Sequence, residues 1–253
     1  MQSVETAAFV IKISSYGEAH KIVTLATQQL GLIQAVARHA RKSRRRYPGA
    51  LDYFKLLTVE CSQSGRGELW NLGRAVITHY YAPIVQNLDR YIAGCWVIEN
   101  FRIFVPLQLS DPLYFAWLRD CLDYFETGDP DPASVFAAFI ILLRATGNIP
   151  SFDACVSCGK EAPETAGAYF EAQRGGVVCR KCGGRRNLLQ AGLRRFLVRA
   201  ARAKSVSSAA RVPEEMKKIV LKNKPLLRRL INDISLTITD KKNFSASLLF
   251  KRM

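Results

Sequence analysis

Hydrophobic and polar residues alternate along the first 80 positions of the chain, which is the period of β-strands that bury one face. Five such runs can be distinguished, at residues 7–13, 21–27, 32–37, 53–61 and 68–78. In the first run, the alternation predicts that Phe9, Ile11 and Ile13 share one face. Five short strands separated by turns such as Gly65-Arg66-Gly67 predict a small barrel. Five strands with basic loops fit the OB-fold, although other small barrels share that count.

The hydrophobic period lengthens to that of an α-helix after Pro83. Three amphipathic runs follow, at residues 92–103, 113–125 and 135–145. Pro106 separates the first two runs, because proline ends or kinks a helix. Asp131 or Ser134 can cap the third helix.

Helical spacing returns after residue 187, with a mixed apolar and basic pattern. One face of the first helix carries Leu193, Phe196, Leu197 and Ala200. The opposite face carries Arg194, Arg195, Arg199 and Arg202. Residues 219–231 predict at least one more helix, and the pattern from Asn243 onward predicts no element.

Between the two helical regions lie two C-x2-C pairs that are separated by 20 residues: Cys155, Cys158, Cys179 and Cys182. This spacing is typical of tetrahedral zinc sites, and four protein ligands predict one structural zinc ion with no open position. Two disulfides would suit a secreted protein, and a redox-active C-x2-C needs only one pair. The other three cysteines lie in apolar patterns and are expected to be packing residues: Cys61, Cys95 and Cys121.

These patterns predict an α+β protein of four segments. They are an OB-fold barrel at residues 1–80, the first part of a helical domain at 81–150, a four-cysteine zinc module at 151–186 and the second part of the helical domain at 187–253.

The chain of 253 residues has a formal net charge of +16, which favours a polyanionic partner, most often nucleic acid. The charge is concentrated at the two ends: residues 1–82 carry +6, residues 83–150 carry −4 and residues 151–253 carry +14. No apolar run approaches the roughly 20 residues of a membrane span, and the N-terminus does not resemble a secretion signal. We therefore expect a cytoplasmic protein that does not bind membranes.

The densest basic segment lies between the third and fourth predicted strands. Its candidate nucleic-acid-binding residues are Arg38, Arg41, Lys42, Arg44, Arg45, Arg46 and Tyr47. Six like charges in ten residues favour contact with phosphates, and Tyr47 is the candidate for stacking on a base. Two C-terminal clusters, at residues 185–204 and 217–229, form either a second nucleic-acid surface or solvated helix faces.

The sequence favours a non-enzymatic protein. It contains no phosphate-binding loop of the G-x-x-x-x-G-K-[ST] type, and its three histidines lie in separate segments. The carboxylates of the N-terminal basic region are scattered, whereas a nuclease needs converging ones. The alternatives are a zinc-ribbon RNA-binding or transcription accessory protein, a metal-dependent nuclease, and a structural zinc module of a larger assembly.

Two ordered sets of motifs resemble the RecO family of bacterial DNA repair and recombination mediators. The first set resembles the family's N-terminal domain and consists of Tyr16-Gly17-Glu18, residues 21–27, Gly31, Ala35-Val36-Ala37-Arg38 and Arg41-Lys42. The second set resembles the junction of the helical domain and the zinc module in zinc-bearing members and consists of Phe136, Leu142-Leu143, Gly147, Pro150, Phe170, Gly175-Gly176 and the four paired cysteines.

The resemblance implies an OB-fold, a helical domain and a zinc module. It also implies binding to single- and double-stranded DNA, annealing of complementary strands, and indirect loading of RecA onto DNA coated with single-strand-binding protein. The implied protein partners are RecR and the C-terminal tail of single-strand-binding protein, which Arg199, Arg202 or Lys204 would receive. The family's basic loop corresponds to Arg38, Arg41 and Lys42, and its zinc ligands correspond to the four paired cysteines. A nucleoid-associated protein is expected.

Overall fold

The computed structural model describes residues 3–41, 45–63 and 69–252. Its N-terminal part consists of the strands β1 (Ser3–Tyr16), β2 (His20–Thr27), β3 (Gly31–Ala37), β4 (Lys55–Ser62) and β5 (Trp70–Tyr80). The strands close into a barrel in the order β1-β2-β3-β5-β4. All neighbouring strands are antiparallel except β3 and β5, which pair in parallel at Ala35 and Trp70. The predicted five-stranded OB-type barrel is confirmed, whereas the predicted turn Gly65-Arg66-Gly67 lies outside the described residues.

Strand β1 is buried on both faces over part of its length. Ala8 and Val10 contribute to the barrel interior, whereas Phe9 and Ile11 belong to the core of the helical domain. An irregularity in the pairing with β2 between Val10 and Lys12 shifts the register. A β-bulge reverses which side chains face inward, so Ile13 packs against the barrel core. The prediction that Phe9, Ile11 and Ile13 share one face was therefore wrong for Ile13.

The middle of the chain is helical, as predicted. Its helices are α1 (Ala82–Gln86), α2 (Leu88–Phe104), α3 (Pro112–Thr127) and α4 (Pro132–Ala145). Every residue from Pro132 to Leu143 is buried, so α4 is the central helix of this domain. The Asp131 side chain accepts a hydrogen bond from the Ser134 backbone N–H, and the Ser134 hydroxyl accepts one from the Asp131 N–H. Both predicted caps are thus used, in one reciprocal capping box.

The C-terminal part begins with a small sheet and continues with helices. Its elements are β6 (Ala168–Glu171), β7 (Gly176–Val178), β8 (Leu188–Leu189), α5 (Ala191–Arg202), α6 (Val206–Ala210), α7 (Glu214–Lys222), α8 (Lys224–Thr239) and α9 (Phe244–Arg252). The sheet has the order β7-β6-β8. In the described part of the chain, no helix is both long enough and apolar enough to span a membrane.

The barrel and the helical domain are joined by the segment between α2 and α3. The backbone N–H of Gln108 donates to the carbonyl oxygen of Leu32 at 2.8 Å, and Leu107 forms an isolated β-bridge with Leu32. Gly31 has a φ of +69°, and a side chain at Gly31 would overlap the backbone of Leu109. This close backbone contact fixes the position of strand β3 against the helical domain.

Helix α9 covers a stretch for which the sequence predicted no element. The Asn243 side chain, which is buried just before α9, donates to Oδ1 of Asn100 on α2 at 2.7 Å. At the other end, Nε of Arg252 lies 2.5 Å from Oδ1 of Asp89. These contacts join residues more than 140 positions apart, so the local pattern does not reveal them.

Candidate functional site

The four paired cysteines converge on one point at the edge of the small sheet. Their sulfur atoms all lie within 4.8 Å of one another. Cys155 and Cys158 come from the loop before β6, and Cys179 and Cys182 follow β7. Four sulfurs at about 2.3 Å from a central zinc ion would be about 3.8 Å apart. The Cys158 and Cys179 sulfurs are 3.9 Å apart, so this cluster fits a tetrahedral metal ion.

Each C-x2-C pair forms a tight turn that directs two sulfurs to the same side. The N–H of Gly159 donates to the carbonyl oxygen of Cys155, and the N–H of Gly183 donates to that of Arg180. Both glycines have positive φ values, +69° and +91°, which other residues rarely adopt. The sequence pattern of a glycine after each pair thus corresponds to a backbone requirement.

The cysteine thiols differ in acidity because their hydrogen bonds differ. Backbone N–H groups, first that of Cys179, donate to the Cys155 sulfur and lower its pKa to about 6. Hydrogen bonds with the sulfurs of Cys179 and Cys158 raise the pKa of Cys182 to about 12. A bound cation would attract all four thiolates. Of the three cysteines predicted to be buried packing residues, Cys61 and Cys121 are buried and Cys95 is half-buried. Burial raises the pKa of all three thiols.

Arg194 connects the cysteine cluster to helix α5. The sequence placed it on a basic face that forms either a second nucleic-acid surface or a solvated helix face, and both were wrong for Arg194, because it is only 2% exposed. Its guanidinium donates to the carbonyl oxygens of Phe152, Ala162, Pro163 and Ala166. A buried guanidinium needs such partners, and here they come from the loop that carries the first cysteine pair. The sequence contained no signal that distinguished Arg194 from its neighbours.

The basic segment predicted to bind nucleic acid follows β3 at one end of the barrel. Arg41 donates to the backbone oxygen of Glu18 at 3.2 Å and to the Ser15 hydroxyl at 2.8 Å, which ties this segment to the β1–β2 turn. Arg46 donates to the carbonyl oxygen of Arg38 at 2.9 Å. Lys42 and Arg44 lie outside the described residues.

Three arginines of this segment have no carboxylate partner among the described residues. Among the described residues, Arg38, Arg41 and Arg45 form no ion pair, and all three are exposed. Strands β2 and β3, beside which they lie, contain no Asp or Glu. The end of the barrel therefore carries a net positive charge, and Glu18 of the β1–β2 turn is a carboxylate residue there that forms no ion pair with Arg38, Arg41 or Arg45.

Tyr47 does not have the position that base stacking requires. It is 4% exposed within the barrel core, and its hydroxyl donates to the carbonyl oxygen of Leu72 at 2.5 Å. Tyr16, at the same end of the barrel, is 50% exposed, and its ring centroid is 6.3 Å from that of His20. The structure therefore corrects the stacking prediction for Tyr47, and Tyr16 is the available aromatic ring. We call Tyr16, His20, Arg38 and Arg41 the barrel tip.

A groove of about 730 Å³ lies between α5 and the cysteine-bearing loop. Val198 and Met216 form part of its lining, with Arg195 and Arg199 beside them. Arg202 also lines it but is paired with Asp153 at 3.5 Å. Glu161 and Glu164 line the groove as well, so it combines apolar surface with charges of both signs.

Comparisons with known proteins show which family the chain belongs to. Residues 1–81 match the family described as "Recombination protein O N terminal", and residues 85–223 match "Recombination protein O C terminal". The chain is 34% identical over 183 residues to a protein of Anaeromyxobacter sp. (strain K). The aligned residues make up 72% of this chain and 71% of the relative. It is 34% identical to a protein of Geobacter sulfurreducens and 32% identical to one of Myxococcus xanthus, with 72% of this chain and 74% of each relative covered. All three are named "DNA repair protein RecO". The family resemblance inferred from the motifs is thereby confirmed, and the chain belongs to the RecO family of DNA repair and recombination mediators.

Proposed function

We propose that this protein binds single- and double-stranded DNA, anneals complementary strands and helps to load RecA onto DNA coated with single-strand-binding protein. The observation that carries the proposal is the barrel tip, where exposed Arg38 and Arg41 lie beside the exposed ring of Tyr16. Positive charge without carboxylate partners attracts phosphates, and an exposed aromatic ring stacks on an unpaired base. The bacterial cytoplasm, in association with the nucleoid, is the proposed location.

Annealing by this protein requires no chemical step. Two single strands repel each other through their phosphates, and a basic surface reduces that repulsion and raises the local concentration of strands. Arg185 and Arg186, both exposed and close to the cysteine cluster, supply a second basic region for the second strand. Base pairing provides the free energy, so nucleotide hydrolysis is not needed and we propose no enzymatic activity.

We propose that the four cysteines hold one structural zinc ion. Thiolate ligands in a C-x2-C arrangement suit zinc, and a closed set of four leaves no position for a substrate. The metal would hold the loop of residues 152–166 against β7, next to Arg194. Its contribution is therefore to the stability of the fold.

We propose two protein contacts. The groove beside α5 would receive the acidic, aromatic C-terminal tail of single-strand-binding protein on its α5 wall, where Arg195 and Arg199 flank the apolar side chain of Val198, whereas Glu161 and Glu164 belong to the loop that forms the other wall. RecR is the second proposed partner. RecA is an indirect partner, because its loading onto DNA would be assisted without direct contact. A tail peptide that binds the wild type and an R195Q/R199Q variant equally would remove the first of these assignments.

Strand annealing tests the main proposal. Two complementary labelled oligonucleotides are mixed with the protein at low and moderate salt, without nucleotide or magnesium. We expect faster duplex formation with the wild type and a loss of most of this acceleration in an R38Q/R41Q variant. The matched control is K217Q/K218Q on α7, which removes the same charge from an exposed helix and should anneal normally. Absence of annealing by the wild type would refute the proposal, and tighter binding of structured RNA than of single-stranded DNA would favour an RNA-binding protein.

A further inference from the structure

A cleft of about 390 Å³ lies where the barrel meets the helical domain. One wall is the outer face of β1, β2 and β3, and the other is the end of α2 with the residues that follow it. Lys241, which precedes α9, borders the same space. We call this space the junction cleft and define it by the polar side chains that line it: Lys12, Thr24, Gln34, Arg102 and Lys241.

All charged side chains that line the junction cleft are positive. Lys12, Arg102 and Lys241 are exposed, and none of them forms an ion pair within the described part of the chain. The nearest carboxylate along α2, Glu99, accepts a hydrogen bond from the backbone N–H of Ser245 at 2.9 Å. Three cations around one small space repel each other, and an anion between them would relieve that repulsion.

Two neutral hydrogen-bond donors stand in the same row as Lys12. The strand pairing places Lys12 opposite Thr24 and Thr24 opposite Gln34, so the three residues cross β1, β2 and β3 at one level. Neither the Thr24 hydroxyl nor the Gln34 amide is hydrogen-bonded to another described residue. The cleft thus offers three cations and two neutral donors, which is a set suited to phosphate oxygens.

The junction cleft and the barrel tip lie at two ends of one surface. Along β2, Thr24 lies four residues from His20, and along β1, Lys12 lies four residues from Tyr16. Four residues of strand span about 13 Å. Consecutive phosphates of one strand are about 3.4 Å apart along a duplex axis and farther apart in an extended single strand, so no more than about four of them would bridge this distance.

We propose that the junction cleft is a phosphate-binding site that holds the backbone of a nucleic-acid single strand after the strand has crossed the outer face of β1–β3 from the barrel tip. This inference rests on the proposed function, because it takes the tip as the other contact of the same strand. Lys12, Arg102 and Lys241 each neutralise phosphate charge, while Thr24 and Gln34 donate to phosphate oxygens. The helical domain thereby contributes to a site that the barrel alone leaves incomplete.

The test compares oligothymidylates of about 4 to about 16 nucleotides, the range of OB-fold site sizes, by fluorescence anisotropy over a series of salt concentrations. The test variant is K12Q/R102Q/K241Q. The matched control is K217Q/K218Q/K222Q on α7, a helix that packs against α4, α5 and α8. All six residues are exposed, so both variants should keep the wild-type unfolding temperature, which is measured in parallel.

We expect the wild-type affinity to rise once the oligonucleotide is long enough to reach from the tip to the cleft. The test variant should lose this rise and bind the longest oligonucleotides roughly 10- to 30-fold more weakly, with a salt slope lower by about 2. The control should retain both the rise and the slope. Equal loss in the two variants would mean that the cleft contributes no more to binding than the basic face of α7 does and would overturn the proposal.

Two further outcomes separate the possible failures. A wild type that binds no oligothymidylate contradicts the proposed function itself. If the test variant binds oligonucleotides of every length as tightly as the wild type, only the proposal for the junction cleft is overturned. Inorganic pyrophosphate is used as a second probe: if it binds the wild type but not the test variant, while oligonucleotides bind both equally, the cleft holds a free phosphate compound and the single-strand proposal is wrong.

Discussion

The Arg194 guanidinium donates to the carbonyl oxygen of Phe152 at 3.1 Å, across 42 residues of sequence. The same side chain also reaches the carbonyl oxygens of Ala162, Pro163 and Ala166, so one buried cation holds the whole loop that carries the first two cysteines. In the absence of a carboxylate partner among these contacts, the backbone carbonyls themselves solvate the charge.

Replacing Arg194 with Met should therefore destabilise the protein by about 3 kcal/mol, because several buried carbonyl groups lose their donor. The loop should also hold its metal less tightly. Urea unfolding and the rate of metal release to a chelator measure the two effects. Arg195→Met is the control, since Arg195 is exposed and the change should stay within about 0.5 kcal/mol of the wild type. Equal stability of the two variants would contradict the structural role of Arg194.

Metal binding to the four cysteines should weaken as the pH falls. A thiol that is protonated in the metal-free protein releases its proton on binding, and the pKa of about 12 for Cys182 keeps that thiol protonated at neutral pH. Cys155, with a pKa of about 6, is already a thiolate at pH 7 and contributes a released proton only below about pH 6. The logarithm of the affinity should therefore fall more steeply with decreasing pH below about 6, which competition with a chromophoric chelator measures.

The residue controls for this prediction are serine variants. Cys158→Ser removes one ligand and should lower the metal content and destabilise the module. Cys121→Ser, at a buried cysteine remote from the cluster, should leave the metal content unchanged. Full metal content in the Cys158 variant, or an affinity independent of pH, would contradict the ligand assignment.

The sequence predicted correctly those features that depend on residues close together along the chain. Alternation predicted the barrel strands, the C-x2-C spacing predicted the cysteine cluster, and Asp131 with Ser134 predicted a helix cap. The sequence-based predictions failed for residues whose burial depends on contacts with distant parts of the chain. Arg194 and Asn243 are buried because partners far along the chain accept their hydrogen bonds, and a local pattern carries no information about such partners.

Tyr47 and Ile13 show the same limit at shorter range. A tyrosine next to arginines is expected at the surface. In the structure, however, the connection between β3 and β4 places Tyr47 in the barrel core. The alternation around Ile13 is regular in sequence, and only the irregular pairing of β1 with β2 shifts its side chain to the other face. The path of a loop limited the prediction of Tyr47, and an irregular strand pairing limited that of Ile13.

Substitutions at the two tyrosines should separate nucleic-acid binding from folding. Tyr16→Ala should weaken binding to single-stranded DNA by about 1–3 kcal/mol, which is the range for loss of one stacking contact, and should leave stability unchanged. Tyr47→Phe removes the hydrogen bond to Leu72 and should cost about 1 kcal/mol of stability without changing DNA affinity. Anisotropy titration and urea unfolding of both variants measure the four quantities. The opposite pattern would restore Tyr47 as the stacking residue.

Substitution of Gly31 should strongly destabilise the contact between the barrel and the helical domain. Gly31→Ala combines a positive φ with overlap between the new methyl group and the Leu109 backbone, so the segment that joins the two parts must shift. Gly49→Ala is the matched control, because Gly49 has a similar φ of +63° but open space around it, and its cost should be only the conformational one of about 1–2 kcal/mol. Urea unfolding should show a distinctly larger loss for Gly31→Ala. If the two alanine variants are equally stable, the contact between β3 and the segment after α2 is not tight, and the barrel can move relative to the helical wall of the junction cleft.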